Sequence, residues 1–281
     1  MKIVFFGNTK YSLIGLRIIH NSIGVSHVVT ISDSPVEKFA KENSIPVTIT
    51  KILDAQIVKS LGELKPDFFV VEDYGLILPN KLLDIPRLAP LNIHHSLLPK
   101  YRGPTPVPSA ILAGEKVTGV SIIKMAAEVD AGDILAQVEY HMQKNDTTDS
   151  VLTKLNQLGA DLLVRVIKNF EEMSLHAKKQ NEPSTKYTDR MTRESGFIDI
   201  HNPPNPETLD RMIRAYYPWP GVWTRLRISL RSSYGGQAKD KIVKFLPERK
   251  IQVEGKNAVS YEEFYNGYPE LKDLILKLIP E

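Results

Sequence analysis

The chain has no cysteine, which excludes a disulfide framework and any thiolate-held metal or redox centre. Its 7 histidines include no HExxH-like pair, so no zinc-hydrolase motif is present and no metal is expected. No run reaches the roughly eighteen apolar residues of a membrane span. Glycine is missing where a dinucleotide site would need it: Gly7-Asn8-Thr9-Lys10-Tyr11-Ser12 lacks the second and third glycines that let a pyrophosphate approach the backbone. There is no Walker A sequence either. Met1-Lys2 runs directly into an apolar segment without a signal-like stretch, so a soluble cytoplasmic chain without membrane attachment is expected. What remains is 281 residues, 42% of them apolar, enough for one large or two modest domains with their own cores.

The first half alternates strand and helix signals. Lys2 to Phe6 (KIVFF) has the character of a buried strand, and Ser12 to His20 has the apolar spacing of a helix. The pattern continues through Val25 to Ile31, the helix Val36 to Glu42, the short strand Pro46 to Thr48, a helix Ala55 to Leu64 capped by Asp54, and the run Phe68 to Val71. Such alternation predicts a parallel sheet with helices covering both faces. Thr148 to Phe170 reads as one long amphipathic helix with Val151, Leu155, Leu158, Leu162, Val166 and Phe170 on its apolar stripe, which is core and carries no chemistry.

The stretch Leu91 to Asp133 has a different character. Asn92 and His94 alternate with Leu91 and Ile93, so an amide and an imidazole share one face of a short strand. Ser96-Leu97-Leu98-Pro99 ends that strand, and Gly103, Pro104, Pro106 and Pro108 bend the following loop. The apolar run Val120 to Met125 then leads to Val129-Asp130-Ala131-Gly132-Asp133, with a carboxylate at a strand-to-loop junction. Taken singly, each residue has a bland alternative as turn former, cap or satisfied polar group. Together they suit transfer at a carbonyl carbon to an amine. His94 would move a proton, Asp130 would orient it, and the Asn92 amide would donate to an oxyanion.

NIHHSLLPKYRG followed by VDAGDI resembles the signature of the 10-formyltetrahydrofolate-dependent formyltransferases, with Asp130 standing 38 positions after Asn92. The resemblance implies Asn92, His94 and Asp130 as catalytic residues and 10-formyltetrahydrofolate as formyl donor. It implies donor contacts from Tyr74, Gly75, Leu76, Ile77 and Leu78, from Ser96, Leu97, Leu98 and Pro99, and from Val129, Ala131 and Gly132. His95 departs from the family pattern, in which a small residue or proline is usual, and reads as variation at the rim of the site.

After Met173 the composition becomes polar and linker-like. MTRESGFIDI, RMIRAYYPWPGVWTRL and IQVEGKNAVSYEEFYNGY are similar to the junction and second domain of the methionyl-tRNA formyltransferases, which separates this chain from single-domain purine-pathway enzymes. The runs Val222 to Leu230, Lys241 to Leu246 and Ile251 to Val253 suggest short barrel strands. Between Arg211 and Lys250 ten basic residues face two acidic ones, a phosphate-attracting surface if they share a face. A solvated barrel exterior would look the same in sequence. The connection Thr30 to Val36 omits the long basic insertion that resembling enzymes carry there.

The expectation is therefore an α/β fold: a formyltransferase-type, Rossmann-like parallel sheet domain over residues 1–175, a linker over 176–205, and a small OB-like β-barrel domain over 206–281. The resemblance implies transfer of the formyl group to methionyl-initiator tRNA, and a monomer is expected. Candidate tRNA contacts are Arg190, Arg193, Arg211, Arg214, Arg225, Arg227, Lys241 and Lys244. The alternatives are a sugar-nucleotide N-formyltransferase, a formyltetrahydrofolate hydrolase, and an RNA-binding module without catalysis.

Overall fold

The computed structural model describes residues 1–229 and 238–278; Leu230 and Arg231, included in the strand and charge readings above, lie outside them. The chain divides into two compact units, one of residues 1–106, 116–142 and 151–189, the other of residues 107–115, 143–150 and 190–281.

The first unit is built on a seven-stranded sheet. Its strands are β1 (Ile3–Phe6), β2 (His27–Thr30), β3 (Val47–Ile49), β4 (Phe68–Val71), β5 (Ala89–His94), β6 (Val117–Lys124) and β7 (Ile134–His141). They lie in the order β3-β2-β1-β4-β5-β6-β7. Pairing is parallel from β3 to β5, as the βα alternation predicts. The last two pairs are antiparallel, so the sheet is mixed and not wholly parallel. Connection length is the reason at β6 and β7: only residues 125–133 join them, too few for the crossover of a dozen or more residues that a parallel pair requires. Ile3, Phe5, Phe6, Phe68 and Phe69 are fully buried, consistent with apolar runs covered on both faces.

Local chemistry sets the helix ends. Asp54 caps Ala55–Glu63 by accepting from the Gln56 and Ile57 amides, and Ser34 caps Pro35–Glu42 by accepting from Glu37 N. Thr30 Oγ1 and Ser34 Oγ lie 2.8 Å apart, which closes the short connection after β2. The long helix ends at Lys168; Asn169, with φ −120° and ψ 33°, breaks it before Phe170–Leu175. Phe170 still reaches the core edge on to Phe68, centroids 4.9 Å apart. The polar residues after Met173 are not loose. Lys178 bridges to Ile134 and Tyr187 to Arg102, so part of the stretch expected as linker belongs to the first unit.

The second unit contains β8 (Val222–Ser229), β9 (Ala238–Leu246), β10 (Lys250–Val253) and β11 (Ala258–Ser260), paired antiparallel in the order β11-β10-β9-β8. Among the described residues these strands form an open meander and not a closed barrel. Val222, Leu226, Ile228, Val243, Phe245, Ile251 and Val253 point into its core with Leu209, Phe264 and Ile275. The helices Pro206–Ala215, Tyr261–Gly267 and Lys272–Leu278 therefore cover the one apolar face of the sheet. No described helix is long and apolar enough to cross a membrane.

Candidate active site

Strand alternation sends Asn92 and His94 to the same face of β5, and both meet Asp130. The Asn92 amide donates to Asp130 Oδ1 at 3.1 Å, which leaves its second N–H unused by that bond. Asp130 Oδ2 accepts from the Gly103 backbone N–H at 2.8 Å and lies 3.5 Å from His94 Nδ1. His94 Nε2 donates to the Tyr101 carbonyl at 2.9 Å, since a carbonyl can only accept. With the Nε2 proton directed to Tyr101, Nδ1 faces the Asp130 carboxylate. Asp130 and Tyr101 have φ of 53° and 63°, left-handed values uncommon outside glycine, so both loops are held in bent conformations at the site.

The segment after β4 offers open hydrogen-bonding groups. The Asn8 side chain donates to the Tyr74 carbonyl. Among the described residues, no hydrogen bond within the chain engages the backbone of Gly75 to Leu78. Unpaired backbone groups beside apolar side chains suit a planar heterocycle bearing an amide edge, so these residues fit a pterin. Ile77 is 73% exposed and Val129 46%, which gives the loops apolar tips. Tyr74 contributes differently: its ring packs edge-on to Phe6, and burial pushes its hydroxyl up to about 12.

Ser96 to Pro99 are spent on their own turn. Ser121 Oγ donates to Ser96 O at 2.7 Å and accepts from Leu98 N at 3.0 Å, Gln137 donates to Leu98 O at 3.0 Å, and Lys186 N donates to Pro99 O at 3.3 Å. Leu97 and Pro99 are the half-buried side chains of this turn. Gly132 is required by close approach: a Cβ there would lie 1.8 Å from the Lys124 carbonyl oxygen.

Three features escaped the sequence reading. Arg102 is completely buried; its Nε donates to Gln180 Oε1 at 2.9 Å and its guanidinium donates to Tyr187 Oη at 3.2 Å. Gln180 Nε2 donates to the carbonyls of Asp130 and Gly132, both at 2.7 Å. Thirdly, His95 is not at a rim. Being one residue past His94, it turns to the other face and is buried 4.0 Å from Glu72 Oε1 and 3.5 Å from Asp73 Oδ1. Burial lowers the His95 pKa, which the Asp73 charge partly opposes, while burial holds the Glu72 carboxyl well above the usual range. A Gly103 amide as carboxylate donor and a glutamine fifty residues from Asp130 carry no sequence signal of their own.

In the second unit, the register places Trp223, Arg225 and Arg227 of β8 opposite Lys244, Ile242 and Asp240 of β9. Arg225, Arg227 and Lys244 thus share the outer face and are exposed, whereas Lys241 pairs with the core residue Leu226 and lies on the other face. Arg211 and Arg214 are drawn down by Glu207 and Asp210, at 3.7 and 2.8 Å. Arg190 and Arg193 are exposed, and Arg193 lies over the Trp223 ring at 5.2 Å. Among the described residues no three His, Asp or Glu side chains converge as a metal site requires.

The formyl transferase family model matches residues 1–167. A methionyl-tRNA formyltransferase of Chloroflexus aggregans is 38% identical over 237 residues, 80% of this chain and 76% of that protein. That of Koribacter versatilis is 32% identical over 304 residues, covering 95% and 96% of the two chains. In fold, the chain is similar to a sugar N-formyltransferase from a Shewanella species, with a TM-score of 0.66 at 17% identity over 88% of this chain and 98% of that one. It is also similar to phosphoribosylglycinamide formyltransferase from Streptococcus pneumoniae, with a TM-score of 0.56 at 24% identity, covering 60% of this chain and 98% of that one.

Proposed function

Because this chain belongs to the methionyl-tRNA formyltransferases of the formyl transferase family, we propose that it transfers the formyl group of 10-formyltetrahydrofolate to the α-amine of methionine esterified to initiator tRNA, in the cytoplasm. The observation that carries the catalytic assignment is the convergence of Asn92 and His94 on Asp130. The neutral amine attacks the formyl carbon, and the carbonyl electron pair moves to oxygen. The free Asn92 N–H donates to that oxyanion. The C–N bond to the folate then breaks as the oxyanion collapses, and the departing nitrogen gains a proton as the attacking nitrogen loses one. His94, leaving the Tyr101 carbonyl, carries that proton exchange, with Asp130 facing its Nδ1 and orienting the ring. The backbone of Gly75 to Leu78 would hold the pterin, and the donor supplies an activated formamide carbon.

The outer face of β8 and β9, with Arg225, Arg227 and Lys244, is the reading for the phosphate-binding surface, with Arg190 and Arg193 also exposed. The short Thr30 to Pro35 connection favours a second reading, an amino-sugar nucleotide as acceptor. Mass spectrometry after incubation with the formyl donor and both acceptors in competition tests the two. Addition of one formyl group to methionyl-tRNA is the expected result; formylation of the sugar nucleotide alone would overturn it.

A further inference from the structure

We propose that Gln180 is a positioning residue for the reaction: its side-chain amide, braced by the buried Arg102, holds the Asp130 turn in the conformation that presents the carboxylate to Asn92, His94 and Gly103. The inference rests on the reading of Asp130 as part of the catalytic set.

The chemistry of the amide dictates the arrangement. The carbonyls of Asp130 and Gly132 converge on one point, and two converging acceptors need a donor with two N–H groups between them. A glutamine NH2 supplies both. Its remaining atom, Oε1, must then accept, and it faces Arg102 Nε, which can only donate. The orientation of the amide is thereby fixed from both ends.

Asp130 is consequently gripped twice. Its backbone, in the left-handed region, is tied to Gln180, while its carboxylate is tied to Asn92 and Gly103. The two grips are joined, because Gly103 follows Arg102 in the chain. Arg102 is itself stitched to the 186–188 segment by Arg102 N donating to Lys186 O and Thr188 N donating to Arg102 O, both at 2.8 Å. Gln180 touches neither reactant in this scheme and acts through Asp130.

The test measures kcat and KM with methionyl-tRNA and the formyl donor for Gln180→Ala, Gln180→Glu, Asp130→Asn and the Gln180→Ala, Asp130→Asn double variant, alongside thermal unfolding. Gln180→Ala lowers kcat by about 10- to 100-fold, the scale of a misplaced reacting group, with KM for methionyl-tRNA little changed. In the Asp130→Asn background the same substitution adds no further loss, because its effect runs through the carboxylate. Gln180→Glu removes both N–H groups when ionised and regains one donor when protonated. Held beside the Arg102 guanidinium, the ionised glutamate keeps the Oε1 acceptor but has no donor for the two carbonyls, so its kcat falls as in Gln180→Ala, with KM for methionyl-tRNA again little changed.

Wild-type kcat in Gln180→Ala, or losses that multiply in the double variant, would overturn the inference. Should Gln180→Ala fail to fold, the isosteric Gln180→Glu decides, wild-type kcat counting against. Unimpaired turnover in Asp130→Asn is a separate result, which removes the catalytic reading of Asp130 itself.

Discussion

Glu72 is completely buried 4.0 Å from His95, and neither of its carboxyl oxygens has a hydrogen-bond partner. Desolvation, reinforced by the neighbouring Asp73 charge, keeps its proton on well above the ordinary value of 4.5. The unfolded chain ionises near that ordinary value while the fold does not. Glu72 thus favours the fold fully below 4.5 and loses that contribution as pH rises toward the folded value. Glu72→Gln abolishes the linkage at nearly constant shape. Its stability relative to the wild type should improve with rising pH across this window, by at most about 1.4 kcal/mol per pH unit, as read from urea denaturation at several pH values. A difference independent of pH would show that the acid is not retained. His95 titrates in the opposite sense: burial lowers its pKa, so its contribution is present above 6.5 and lost as pH falls below it.

Asn92 has one amide hydrogen bonded to Asp130 and one left to donate. Asn92→Ala removes the oxyanion donor and should lower kcat by roughly 10²- to 10³-fold. Single-turnover formylation reads this directly. Near-normal turnover would remove Asn92 from the chemistry.

Gly132→Ala drives a Cβ to within 1.8 Å of the Lys124 carbonyl, a backbone atom that cannot swing away. The turn after Asp130 must shift, with a stability loss of about 1 to 3 kcal/mol and reduced turnover. Thermal unfolding and steady-state kinetics on one preparation check both. A fully stable and fully active variant would mean that the turn is more pliant than its packing implies.

The exposed Arg225 and Arg227 should behave differently from the paired Arg211 and Arg214. Neutralising the first pair to glutamine should reduce the magnitude of the log–log salt slope of tRNA binding by about 0.7 to 0.9 for every phosphate that the protein no longer neutralises. The second pair should change the slope much less. Filter binding across a salt series tells them apart, and equal effects would place the phosphate-binding surface elsewhere.

Much of the scaffold was written in local patterns. The runs at Lys2 to Phe6 and Phe68 to Val71 became the central strands β1 and β4, and Asp54 and Ser34 cap the helices they precede. Asn92 and His94 could be placed on one face because a strand repeats every two residues. The same rule, applied one residue further, would have turned His95 away from the site. The antiparallel end of the sheet was also latent in the chain, in the nine-residue connection 125–133.

The amino-acid order determined which residues could serve: an amide, an imidazole and a carboxylate at spacings that strand periodicity and motif resemblance make legible. Only tertiary structure decided their partners. Arg102 and Gln180 are 78 residues apart, and Gln180 and Asp130 are 50 apart. Hydrogen bonds across such separations leave no periodicity in a sequence, because they depend on where two remote loops meet once the sheet has formed. The same holds for charge: Arg225 and Arg211 are identical in sequence terms, and only the register of β8 and the reach of Glu207 leave one open to solvent and the other paired.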